Sequence, residues 1–188
     1  MEFRSFDKIP RLTRTMVITE KIDGTNAQIA IDEDGTMFVG SRTRWITPEN
    51  DNCGFARWAR KHEAELMLLG PGRHFGEWWG AGIQRRYGMK EKRFSLFNVG
   101  RWLDIQALDR YQYAVEPAPL CCGVVPIMYH GEFSTDAVDR AIQNLGDEGS
   151  KAAPGFMDPE GVVIFHEAAG KMFKKTIKND EKAKGAAQ

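Results

Sequence analysis

Short apolar runs of period two, each ended by a turn signal, constrain this chain more than any other feature. Met16 to Thr19 and Ala27 to Ile31 alternate or run apolar, Asp32-Glu33-Asp34-Gly35 supplies a turn, and Met37 to Val39 follows. Residues two apart share one face of a strand, so the pattern predicts a β-meander. His74 to Trp79, Arg93 to Val99, Gly161 to His166 and Met172 to Ile177 read as further strands. Two stretches carry helical spacing instead. Phe55, Trp58, Ala59, Leu66 and Leu69 recur through a helix closed by Gly70-Pro71-Gly72. Ser134 is the N-cap of a second helix, with Val138, Ala141, Ile142 and Leu145 on its apolar face and Gly146 closing it. Short strands with interspersed helices favour an α+β domain over a parallel α/β one.

At 188 residues, with 42% apolar and 28% charged side chains, the chain is long enough for a sizeable core. No repeat or linker divides it, so residues 1–188 read as one domain, and the tail 179–188, charged then small, is expected to fray. The formal net charge is zero, so any nucleic-acid binding must come from a local patch. No apolar stretch is long enough for a membrane span, and the N-terminus lacks the apolar core of a signal peptide. The three cysteines are Cys53 and the adjacent pair Cys121-Cys122, an odd count without zinc-ligand spacing. A reducing cytoplasm fits best.

The segment Glu20-Lys21-Ile22-Asp23-Gly24-Thr25-Asn26 lies between the first two apolar runs. Lys21 stands at a strand end and is followed at once by an Asp-Gly turn. A lysine at the mouth of a sheet, walled by Ile18 and Ile22 and near other cations, can lose its proton and attack phosphorus or carbon. Taken alone, the four-residue motif is more simply a solvated lysine before a hairpin turn. Four other charged clusters lie at strand ends: Ser41-Arg42-Thr43-Arg44, Phe75-Gly76-Glu77-Trp78-Trp79-Gly80, Glu160-Gly161-Val162-Val163-Ile164, and Met172-Phe173-Lys174-Lys175-Thr176-Ile177-Lys178. Each has a plain account by itself, such as a solvated strand end or an edge-strand charge guard against aggregation.

Together and in this order, the clusters resemble the covalent nucleotidyltransferase family of polynucleotide ligases and mRNA-capping enzymes. Lys21 to Gly24 resembles the nucleophile motif, Ser41 to Arg44 the following arginine motif, and Phe75 to Gly80 the aromatic-flanked glutamate motif. Arg93 to Val99 is similar to the segment whose aromatic stacks on the purine, Glu160 to Val163 to the E-G-V-V motif, and Phe173 to Lys178 to the final lysine motif. The likeness runs from about residue 18 to 178. E-K-I-D-G-T-N with S-R-T and F-G-E-W-W-G looks most like the phage-type RNA-repair ligases.

The resemblance implies an ATP-grasp-like ligase adenylation domain of α+β class, with mainly antiparallel sheets and flanking helices. It implies that Lys21 attacks the α-phosphate of ATP to form lysyl-AMP, that AMP passes to a 5′-phosphate, and that a 3′-OH displaces it. Lys174 and Lys175 would contact the α-phosphate and depress the proton affinity of Lys21. Glu160 and Asp23 would hold Mg²⁺ or Mn²⁺. Glu77 would take ribose hydroxyls, Arg42 would bridge sugar and phosphate, and Phe97 and Ile164 would sandwich adenine. Asn26 would place a 3′-OH or phosphate, and Glu20 and Ile22, beside the nucleophile, count among the nucleotide-binding residues. RNA is the first substrate expected and DNA the second, held by Arg44 and by the basic stretch containing Arg85, Arg86, Lys90, Lys92 and Arg93.

Two departures stand out. The usual final motif is K-x-K, whereas Thr176 falls where the second lysine belongs if Lys174 is the first. No OB-fold or other C-terminal domain follows residue 178 in this sequence, so an accessory protein is a further expected partner. A DNA ligase, a GTP-using capping enzyme and a nucleotide-binding module without turnover remain alternatives. Intact Lys21, Glu77 and Glu160 argue against the last of these.

Overall fold

The computed structural model describes residues 1–103 and 118–180. Among these the strands are β1 (Thr15–Lys21), β2 (Thr25–Ile31), β3 (Met37–Ser41), β4 (Gly72–Gly80), β5 (Lys92–Leu96), β6 (Cys122–Val124), β7 (Ile127–Glu132), β8 (Gly161–His166) and β9 (Lys171–Thr176). The helices are α1 (Phe55–Lys61), α2 (Glu63–Leu66), α3 (Val99–Trp102) and α4 (Thr135–Glu148). The strands form two sheets, one ordered β7-β1-β8-β9 and the other β3-β2-β4-β5-β6. All pairings are antiparallel except β5 with β6. The α+β class with mainly antiparallel sheets is therefore borne out.

Each sheet buries one face under helices. Met16, Ile18, Val162 and Ile164 pack with Ala137, Ala141 and Leu145 of α4. Ile29, Val39, Trp78, Phe94 and Leu96 pack with Phe55, Ala59, Leu66 and Leu69 from α1, α2 and the 3₁₀ turn after them. The opposite faces of the two sheets meet each other where Val17 and Ile22 touch Trp79, Tyr87 and Val125.

The link from β1 to β2 differs from the meander expected. β2 pairs with β3 and β4, whereas β1 pairs with β7 and β8. Ile22-Asp23-Gly24 is therefore a crossing from one sheet to the other and not a hairpin turn. Glycine is required there, because a Cβ on Gly24 would stand 2.5 Å from the Trp78 carbonyl oxygen and 2.7 Å from the Trp79 Cβ.

Other boundaries shift for local reasons. The single helix expected from Phe55 to Leu69 breaks at His62, whose backbone leaves helical geometry (φ −106°, ψ 20°) so that both pieces can lie on the sheet. The strand expected from Arg93 to Val99 stops at Leu96, because Val99 and Trp102 turn inward as the buried side of α3. Ser134 caps α4 as expected, its hydroxyl accepting from the Ala137 N–H at 3.3 Å. The helix runs past Gly146 and closes at Gly149, which has φ 82° and donates to the Leu145 carbonyl. β6 and β7 escape sequence detection: one has three residues, and the other is half-buried along nearly its whole length, with no alternation to read. Of the tail expected to fray, residues 181–188 lie outside the described residues.

Candidate active site

The Lys21 ammonium donates to the Glu160 carboxylate at 2.6 Å, across 139 residues of sequence. β1 and β8 make this contact: Lys21 is paired with Gly161, and Glu160 is the residue just before. A Cβ on Gly161 would stand 2.2 Å from the Lys175 carbonyl oxygen, so glycine lets β9 close against the strand end at this point.

Register decides which neighbours share the face of Lys21. Thr19 opposes Val163, Val163 opposes Lys174, and Gly161 opposes Thr176. Directly opposed residues share a face and the next residues take the other, so Lys174 and Val163 are on the Lys21 side. Ile164 and Lys175 are not. Ile164 is buried beneath α4, and Lys175 donates to Asp139 of α4 at 2.5 Å. The expected adenine contact by Ile164 and phosphate contact by Lys175 are corrected accordingly: a one-residue change of register moves a side chain through the sheet.

Glu77 stands on the facing sheet, directly opposite Asn26. Its carboxylate accepts from the Gly24 N–H at 3.0 Å and from the Asn26 side-chain amide at 3.1 Å. Burial pushes the Glu77 carboxyl up to about 7, with Lys21 opposing the rise and Glu160 and Asp23 adding to it. Phe75 is two residues away on the same face, and Phe97 extends β5 by one backbone bond to the Phe75 carbonyl at 2.9 Å. Both rings are open to solvent, 51% and 39% exposed, so their faces are available to a planar ligand.

The raised Glu77 value has a thermodynamic consequence. A carboxyl with a higher pKa folded than unfolded destabilises the fold as it ionises. The penalty is absent below about 4.5, grows as pH rises, and is complete above about 7. At 1.36 kcal/mol per unit it reaches at most about 3 kcal/mol. The Tm of Glu77→Gln relative to the parent is expected to rise between pH 5 and pH 8 and then level. A difference that is flat over this range contradicts the assignment.

The turn after Lys21 is braced from two sides. The Asp23 N–H donates to the Tyr87 hydroxyl at 2.8 Å, and the Asp23 carboxylate accepts from Arg85 Nε at 3.1 Å. Arg85 also reaches the Asp158 carboxylate at 2.8 Å, just ahead of Glu160. Arg85 is thus a bridge between the two acidic segments and differs from the outward phosphate contact expected of it. Arg86 and Lys90 are exposed, whereas Lys92 donates to the Cys53 carbonyl at 2.6 Å and Arg93 pairs with Glu91 at 3.2 Å. Arg42 and Arg44 are exposed just beyond β3, and Arg44 donates to the Asn50 carbonyl at 3.2 Å.

Two residues beside Lys21 point elsewhere. Glu20 is 1% exposed and accepts from the Ser150 hydroxyl and the Lys151 and Ala152 N–H groups, so its side chain anchors the loop after α4. Burial raises its proton affinity. Ile22 belongs to the inter-sheet core. Sequence reading missed Tyr87, Phe75 and Asp158 as site residues. Tyr87 lies inside the basic stretch, where charge gives no sign of it, yet its ring is buried edge-on to Trp79 with ring centroids 5.0 Å apart. The F-x-E alternation in β4 was a signal that could have found Phe75.

Comparisons with known proteins follow the same lines. The family model for RNA ligase matches residues 14–178. No curated protein matches at the sequence level. Among solved structures, an apo mutant of Naegleria gruberi RNA ligase aligns with TM-score 0.59 and 20% identity, covering 87% of this chain and 50% of that one. A mutant of the same ligase with ATP and Mn gives TM-score 0.59 and 21% identity over 92% of this chain and 53% of that one. A further mutant with AMP and Mn gives TM-score 0.58 and 20% identity, over 88% and 50%. At this identity the likeness shows the fold, and the chain spans about half the length of those ligases.

Proposed function

Because the chain belongs to the RNA ligase family, we propose that it is an ATP-dependent RNA ligase working through a lysyl-AMP intermediate. The observation that carries this reading is the Lys21–Glu160 contact, with both groups near enough to Glu77 to shift its proton affinity. The Lys21 amine forms a bond to the α-phosphorus of ATP as the bond to pyrophosphate breaks. Its proton passes to Glu160, the carboxylate already hydrogen-bonded to it at 2.6 Å. A 5′-phosphate oxygen of RNA then takes the adenylyl group from nitrogen. A 3′-OH finally attacks the 5′-phosphorus and expels AMP.

The neighbouring residues suit the remaining tasks. Lys174, on the nucleophile's face, neutralises phosphate oxygens. Glu77 takes ribose hydroxyls, Asn26 holds the Glu77 carboxylate, and Phe97 and Phe75 offer faces for adenine. Arg42 bridges sugar and phosphate from the end of β3. Asp23 and Glu160 both raise the proton affinity of Glu77, and carboxylate oxygens are the donors that suit Mg²⁺ or Mn²⁺. Asp23 and Glu160 would hold the ion, which supplies charge neutralisation at the phosphates. The related Naegleria structures with ATP or AMP and Mn lend support. The E-K-I-D-G-T-N and F-G-E-W-W-G segments favour a phage-type repair ligase. Three free thiols suit a reducing, cytoplasmic setting, and no helix among the described residues is long and apolar enough to cross a membrane.

The test is incubation with ATP labelled on the α-phosphate, then with labelled GTP, followed by broken RNA and matched DNA strands. Protein labelled by ATP alone, discharged as RNA is sealed, is expected. Labelling by GTP, or sealing of DNA only, would replace this reading with a capping enzyme or a DNA ligase.

Grip on RNA is assigned to the exposed cations Arg44, Arg86 and Lys90, with Lys92 and Arg93 at the margin. Removing one cation from a phosphate should flatten the salt dependence of binding by about 0.7 log units per log salt for a single strand. Arg86→Ala with Lys90→Ala is expected to flatten the slope by roughly twice that and to spare adenylylation. Arg85→Ala should do the reverse, slowing adenylylation and lowering Tm, because it unties Asp23 from Asp158. An unchanged slope in the double variant would put the RNA surface elsewhere, for instance on an accessory protein.

A further inference from the structure

On the face of the five-stranded sheet away from Glu77, the fold gathers a second set of ligating groups from two distant segments. His62 sits at the break between α1 and α2, and Glu65 is one turn on. His62 Nδ1 and Glu65 Oε1 are 2.9 Å apart. The turn before β6 brings Cys121 to the same place, and one donor atom from each of His62, Glu65 and Cys121 falls within 4.8 Å of the others. The Cys121 and Cys122 sulfurs are 3.8 Å apart. We propose that His62, Glu65, Cys121 and Cys122 form a zinc site that fastens α2 to the start of β6.

Ligand chemistry and spacing support this together. Two thiolates on one tetrahedral zinc, each about 2.3 Å from the metal, are separated by about 3.8 Å. Soft sulfur with imidazole selects zinc over the hard cations that suit the carboxylates near Lys21. The helix break at His62 gains a purpose, since it points the imidazole and the Glu65 carboxylate at the same spot. All four residues are partly buried, at the margin of the core beneath the five-stranded sheet. Burial pushes both thiols above their ordinary proton affinity, and Glu65 adds to the effect. Zinc would displace both thiol protons to solvent as two Zn–S bonds form. The sequence hides the site because its nearest pairs are H-x-x-E and C-C, neither of which is a zinc spacing by itself.

The site also has a place in the architecture. β6 is the last strand of its sheet and pairs in parallel with β5, which carries Ser95 and leads to Phe97. Closing His62 and Glu65 on Cys121 and Cys122 would hold the end of that sheet against its helix.

The experiment uses the full chain, reduced and stripped of metal with a chelator, then titrated with Co²⁺ and Zn²⁺. One Co²⁺ per chain with tetrahedral cobalt–thiolate absorption is expected, bleached by stoichiometric Zn²⁺. Zinc at 100 times its Kd should raise Tm by about 5 to 10 °C. Cys121→Ser with Cys122→Ser should lose the thiolate band, and His62→Gln should weaken zinc binding at least tenfold. Lys21→Ala should keep both properties, which separates this site from the ligase reading. Circular dichroism of the stripped variants checks that they remain folded. Absence of the band in the parent, or its survival in the double serine variant, overturns the proposal. So does a cysteine pair that, once reduced, takes up neither metal.

Discussion

Lys21→Ala and Lys21→Arg are both expected to abolish the AMP adduct that the parent forms with ATP and a divalent cation. Intact-mass spectrometry reads the adduct directly. The alanine variant removes the amine proposed as nucleophile, but it also takes away the cation at 2.6 Å from Glu160, a carboxylate 5% exposed. Removing one member of a buried pair destabilises by leaving the other charge in a poor environment, so a loss of activity in alanine alone has two explanations. Arginine separates them. Its guanidinium keeps a positive charge within reach of Glu160 and stays protonated at every working pH, so it cannot attack phosphorus. The expected outcome is a folded Lys21→Arg protein with a Tm near the parent's and no adduct. An adduct of parental yield in Lys21→Arg would exclude Lys21 as nucleophile and leave the Lys21–Glu160 pair as a structural clamp.

Local pattern made most strands legible and left their partners undetermined. Period two places Lys21 and Thr19 on one face of β1 from sequence alone. It does not say that β1 joins β8 while β2 joins β4, so the Lys-Ile-Asp-Gly turn looks like a hairpin and is a crossing between sheets. The same limit explains Ile164. Its apolar run Val162-Val163-Ile164 reads as buried on either face, and only the pairing with β1 shows that Val163 faces the site and Ile164 faces α4. Charge alone misled at Arg85. Inside a basic stretch it resembles its neighbours, but the backbone turns left-handed at Gln84, Arg86 and Tyr87, which buries the Tyr87 ring and brings Arg85 back onto Asp23 and Asp158. Motif order, by contrast, survived folding well. Lys21 and Glu160, chosen as strand-end residues, meet at hydrogen-bond distance, and Glu77 lies opposite Asn26, because both pairs are set by strand ends rather than by loop detail.

The final lysine motif gives the sharpest separation between neighbouring residues. Lys174 and Lys175 are adjacent in sequence and on opposite faces of β9. Lys174 opposes Val163, on the side of Lys21, and Lys175 opposes Val162 and pairs with Asp139. A cation that neutralises phosphate charge as the N–P bond forms is worth about 10²-fold or more in rate. An exposed ion pair such as Lys175–Asp139 contributes about 0 to 1 kcal/mol to stability and nothing to chemistry. Lys174→Ala is therefore expected to slow adenylylation at least about 10²-fold with a Tm within a few degrees of the parent. Lys175→Ala should lose a little stability and stay within a few-fold of parental rate. Single-turnover formation of labelled protein at saturating ATP measures the difference without interference from RNA binding. Thr176, where K-x-K would place its second lysine, shares the Lys174 face and donates its hydroxyl to the Lys178 carbonyl at 3.0 Å. Lys178 itself is drawn to Asp158 at 2.7 Å. Within the motif Lys174 is thus the lysine expected to act on phosphate, and the rate should follow it alone. Equal losses in the two folded variants would mean that β9 slides by one residue when ATP binds, since no fixed register can bring both side chains to the same face.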